Sequence, residues 1–69
     1  MSQAPQKQPP VTVTGKILHE TSAAILIEVE GTGIWFPLSQ VHSIHHSQTG
    51  DDDSKVVVEH WIAAKKGVA

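Results

Sequence analysis

The sequence predicts a mainly β fold: a small antiparallel barrel or curled sheet of four or five strands, SH3-like or OB-like in outline, with a short C-terminal helix. Three observations predict it. Apolar and polar residues alternate at a period of two over residues 11–18 and again over 23–30. A glycine-rich step, Gly31-Thr32-Gly33, then leads into residues 34–37, which carry Trp35 and Phe36. Only residues 59–66 change to helical spacing.

Residues 1–10 hold three of the four prolines, three glutamines and no branched aliphatic side chain. Such a segment buries too little apolar area to offset its ordering entropy, so a disordered tail is expected there. Residues 11–69 then form a single domain. In the first strand Val11, Val13 and Ile17 oppose Thr12, Thr14 and Lys16, and Gly15 falls where a bulge or sharp coil helps a strand bend. His19–Ser22 reads as a polar connection. In the second strand Ile25, Ile27 and Val29 share one face, with Leu26, Glu28 and Glu30 on the other. Gly31 and Gly33 supply the positive φ that a tight hairpin requires. Register with the second strand turns Ile34 and Phe36 inward and Trp35 to the opposite face. Pro37 ends that strand or marks an edge, because it has no N–H to donate.

A single helical turn fits residues 38–40, and residues 41–46 form a weaker fourth strand with Val41 and Ile44 on opposite faces. Residues 47–54, SQTGDDDS, are a loop by every local rule, and residues 55–58 a short β-branched strand. In the closing helix Val58, Trp61, Ile62 and Lys65 form one stripe, with Trp61 as the core anchor. Glu59 lies in the first turn, Lys65 and Lys66 in the last, and Gly67 at the position after the C-cap.

Composition narrows the function classes. The chain has 69 residues, no cysteine and a formal charge of −2. Disulfides and thiolate metal sites are excluded, and an intracellular setting is implied. All five basic residues are lysine, which argues against a phosphate- or guanine-gripping surface, where arginine is the preferred side chain. No apolar run approaches the ~18 residues that span a membrane, and no signal sequence is evident, so a cytoplasmic protein is expected. A core this small is often supported by self-association, which makes a homodimer a natural expectation.

Candidate chemistry is sparse. His42 and His46 share a strand face and, with one of Asp51, Asp52 and Asp53, could complete a zinc site for hydrolysis, but polar residues in water account for them as well. Consecutive aspartates lack the alternation of a calcium loop and read instead as a solvated acidic contact for a basic partner. There is no nucleophile motif, no phosphate loop and no paired carboxylate, so no enzyme activity, cofactor or resident metal is expected. Trp35, beside Leu26 on the non-core face, is the residue with the character of an interface anchor; burial under the helix is the competing reading.

Three stretches carry a resemblance. Lys16-Ile17-Leu18-His19-Glu20-Thr21 with Ala24-Ile25-Leu26-Ile27, then Trp35-Phe36-Pro37-Leu38-Ser39-Gln40, then Val58 with Trp61-Ile62-Ala63 and Lys65-Lys66-Gly67, resemble a group of small proteins of tailed phages and prophages. The likeness covers residues 14–67 and departs at VHSIHH and SQTGDDDS. It implies a hairpin followed by a last strand that leads straight into a short closing helix, and it brings no catalytic residue. As an argument by class, it implies a phage-encoded, non-enzymatic binding protein that inhibits a host defence complex of the CRISPR type, or a nucleic-acid-processing complex, by protein–protein contact. Trp35 would anchor such a contact, with Asp51, Asp52, Asp53, Glu28 and Glu30 meeting a basic host surface. The alternative is a single-stranded nucleic-acid-binding accessory module that stacks bases on Trp35.

Overall fold

The computed structural model describes residues 8–48 and 53–69. Of the expected tail, Gln8, Pro9 and Pro10 are exposed and irregular, and the remainder lies outside the described residues. The strands are β1 (Val11–Glu20), β2 (Ala24–Val29), β3 (Thr32–Pro37), β4 (Val41–His45) and β5 (Ser54–Val58), with a 3-10 turn at Leu38–Gln40 and a helix α1 (His60–Lys65). They form one antiparallel sheet in the order β3-β2-β1-β5-β4, which curls without closing. The expected curled sheet with a closing helix is what forms.

β1 is the spine of the fold. Residues 11–15 pair with β5 and residues 16–20 pair with β2, so one strand serves both halves of the sheet. The change of partner falls at Gly15, where a Cβ would sit 2.0 Å from the carbonyl oxygen of Glu28. Only glycine lets the backbones approach this closely. A bulge between Ile17 and His19 then sets Leu18 and His19 together against Leu26. β1 therefore runs two residues beyond the expected end, and the polar HETS segment contributes its first half to the strand. The connection itself is shorter: the Thr21 hydroxyl accepts the N–H groups of Ala23 (3.1 Å) and Ala24 (2.9 Å).

The hairpin is also tighter than expected. Val29 pairs with Thr32, leaving Glu30 (φ 50°) and Gly31 (φ 83°) as a two-residue turn. Two consecutive positive φ values define a type I′ turn, whose twist matches that of the flanking strands. Gly33, expected in the turn, lies within β3 opposite Glu28.

The core consists of Val13, Ile25, Ile27, Phe36, Val56, Val58, Ile62 and Ala63. Ile34 packs against it and Trp35 points away, as the register requires. β4 departs from simple alternation. A bulge between Val41 and Ser43 returns Ile44 to the core side, so Val41 and Ile44 both pack inward rather than on opposite faces.

α1 docks through Ile62 and Ala63, not through Trp61. Trp61 is 53% exposed, and its Nε1 donates to Gln40 Oε1 at 3.0 Å. The small Ala63 lets the helix approach the sheet closely, which places the neighbouring indole at the rim. Glu59 occupies the N-cap position without capping; its carboxylate meets His42 instead. At the other end, Val68 N–H bonds the Ala63 carbonyl (2.9 Å) and Gly67 N–H that of Ala64 (3.0 Å). With Gly67 at φ 82°, this is a Schellman motif.

Candidate binding face

The type I′ hairpin fixes which side chains meet on the outer face of β1, β2 and β3. Cross-strand pairs put Leu26 opposite Trp35, and Glu28 opposite both Gly33 and Lys16. The β1 bulge adds Leu18 and His19 to the same face. Trp35 is 44% exposed and Leu18 45% exposed. The Trp35 indole meets the His19 imidazole edge-on, with centroids 6.2 Å apart and planes at 83°, a favoured geometry for aromatic rings. Leu26 lies between them in the register, and beside it is Gly33, where a Cβ would touch Leu26 Cδ1 at 3.3 Å and Leu18 Cδ1 at 4.0 Å. The result is an apolar floor of Leu18, Leu26 and bare glycine backbone, walled by Trp35 and His19. Lys16 and Glu28 lie at one side.

The sequence-derived contact residues separate on this frame. Trp35 and Glu28 share the outer face. Glu30 is exposed at the hairpin tip. Asp53 is exposed next to Ser54, which pairs with Gly15 on the other half of the sheet, and its carbonyl accepts from Lys55 Nζ at 3.4 Å. Asp51 and Asp52 lie outside the described residues. The burial of Trp35 beneath the helix does not occur: α1 packs on the opposite, inner side.

The histidines divide as well. His42 Nε2 meets Glu59 Oε2, while His46 Nε2 lies 2.8 Å from Glu20 Oε2, where β1 runs past the end of β4. His42 and His46 are thus held by carboxylates on different elements, and among the described residues no three potential ligands are placed to hold a metal. His46 and Glu20 border a concavity of about 410 Å³, together with Lys16 to His19, Ser47 and the buried Ser54. The Ser54 hydroxyl accepts the Ser47 N–H at 2.8 Å, which ties the end of β4 to the start of β5.

Residue-by-residue reading missed Leu18 and His19 as members of the face. Their signal was indirect: Ile17 and Leu18 are adjacent apolar residues in an alternating strand, which is how a bulge reads. Comparisons with protein-family models, curated proteins and solved structures return no match. Among the described residues no helix is long and apolar enough to cross a membrane.

Proposed function

We propose that this is a non-enzymatic binding protein that docks a partner protein on the outer face of β1, β2 and β3, with Trp35 as the anchor. One observation carries the reading: a tryptophan 44% exposed on a regular sheet face, backed by Leu18, Leu26 and His19 rather than standing alone. Contiguous apolar surface of this kind, rimmed by polar groups, marks interaction sites, and tryptophan is among the residues that dominate interface energetics. Glu28 beside Trp35 and Glu30 at the hairpin tip favour a partner with a basic surface. In this proposal Asp51, Asp52 and Asp53 widen the acidic contact. The biological setting comes from the phage-protein resemblance: an inhibitor that occupies a host defence or nucleic-acid-processing complex in the host cytoplasm.

The test is affinity capture from bacterial lysate with wild-type and Trp35→Ala protein. A partner held through this face loses about 30-fold or more in affinity when a hot-spot side chain worth about 2 kcal/mol is removed. Equal capture by both proteins would overturn the reading. The His19–Trp35 pair with Lys16 nearby also suits base stacking, which supports nucleic-acid binding as the second reading. Trp61→Phe leaves Trp35 as the only indole, and titration with single-stranded oligonucleotides at low salt then reads its fluorescence directly. Quenching would favour the second reading; an unchanged signal removes it.

A further inference from the structure

The two ends of the sheet differ in how they stop. β4 carries a bulge between Val41 and Ser43 that breaks its regular pairing, one of the devices by which edge strands avoid further pairing. β3 has no bulge and no charged residue from Thr32 to Pro37, and among the described residues no strand pairs with its outer side.

The hairpin determines what that outer side offers. The closing pair of a two-residue hairpin, Val29 and Thr32, exchanges hydrogen bonds, and bonded and non-bonded pairs then alternate along the ladder. Thr32, Ile34 and Phe36 are therefore bonded to β2. The Leu38 N–H, which donates to the Ala23 carbonyl at 2.9 Å, continues the same series. The N–H and C=O groups of Gly33 and Trp35 consequently point away from β2, as does the carbonyl of Pro37. Proline sits where its missing donor costs no bond within the sheet.

We propose that this edge pairs antiparallel with the same edge of a second copy of the chain, Gly33 opposite the partner's Trp35. The register is self-complementary. Gly33 and Trp35 are two residues apart, so a two-fold axis at Ile34 matches each with the other and closes four main-chain hydrogen bonds. Thr32 then faces the partner's Phe36 across the strands, and no like charges are brought opposite one another within β3. The same register explains why glycine and tryptophan alternate here. Both project to the outer face, so the indole of each copy lies across the bare backbone of the other's Gly33, the aromatic–glycine arrangement that shields an edge glycine. The dimer joins the two outer faces into one apolar surface. It goes beyond the docking role and does not depend on it, because its bonds are made by the main chain at the edge.

The area involved is small. A tryptophan buries at most about 150–250 Å², and an edge pairing over residues 32–36 of each chain falls short of the ~1,600 Å² of a standard interface. The association is therefore weak, with a dissociation constant between micromolar and millimolar. Sedimentation equilibrium across that range is expected to take the mass from 7.4 kDa to twice that value. Gly33→Glu places a carboxylate where the partner's indole would lie. Within the single chain it asks only the flexible Leu26 side chain to shift and stands opposite Glu28 on an exposed face. It is therefore expected to remain folded by circular dichroism, at some cost in melting temperature, and at the single-chain mass. Independently of any variant, amide exchange in the wild type is expected to slow about tenfold at Gly33 and Trp35 between low and high concentration, with the amides of β4 unaffected. A single-chain mass at millimolar concentration, a Gly33→Glu protein that still dimerises, or protection that appears on β4 instead of β3 would each overturn the proposal.

Discussion

At the level of single residues, Gly15 carries more of the fold than any larger side chain. Its Cα faces the Glu28 carbonyl across the turn of β1, and a methyl group there would overlap that oxygen at 2.0 Å. The two nearest atoms belong to the Glu28 backbone, so the clash is relieved by separating β1 from β2. Gly15→Ala is accordingly expected to cost about 3 kcal/mol or more, the scale of severe overpacking, in a domain whose whole stability is about 3–5 kcal/mol. Urea denaturation would show a midpoint moved most of the way towards zero denaturant; a midpoint within experimental error of wild type would contradict the close approach. Gly67 is different, because a Cβ there meets nothing and the penalty is only conformational. Gly67→Ala at φ 82° is expected to cost about 1 kcal/mol. Denaturation midpoints separate these two kinds of glycine, one required by space and the other by dihedral angle.

At the level of elements, the β2–β3 hairpin holds a local mismatch that can be removed. Glu30 adopts φ 50° in a type I′ turn, where asparagine before glycine is the favoured pair. Glu30→Asn is expected to raise stability by about 1 kcal/mol and to move the urea midpoint upward with an unchanged slope; a lower midpoint would show that the Glu30 side chain makes a stabilising contact. The retained glutamate fits a role at the hairpin tip in partner contact. The hairpin was also the most legible part of the sequence. Strict alternation over Ile25, Ile27 and Val29 placed Ile34 and Phe36 inward and Trp35 outward, because a period of two leaves a single choice once one face is buried. The legibility failed wherever an extra residue entered a strand. The bulges at Leu18 and His42 are invisible to a period count, and they are what put Leu18 and His19 on the candidate face and returned Ile44 to the core. The helix failed for another reason. Hydrophobicity ranked Trp61 first, whereas docking distance favoured Ala63, a residue whose value lies in its small size.

At the level of the whole molecule, the curled sheet is incomplete without its C-terminal segment. β3 and β4 do not meet, so the inner face of Ile25, Ile27, Phe36, Val56 and Val58 needs a cover from outside the sheet. Ile62 and Ala63 supply it, and the Schellman turn at Gly67 brings Val68 back against the core. A fully buried aliphatic side chain contributes about 1.5–3 kcal/mol, so loss of the buried Ile62 together with the partly buried Val68 removes a large share of the stability of a domain this small. A chain ending at Glu59 is expected to lose cooperative thermal unfolding and to bind the dye ANS through the uncovered inner face. The double variant Ile62→Ala, Val68→Ala is expected to retain the sheet by far-UV circular dichroism at low temperature but to melt well below wild type. A chain ending at Glu59 that unfolded cooperatively at the wild-type midpoint would show that the sheet closes its own core.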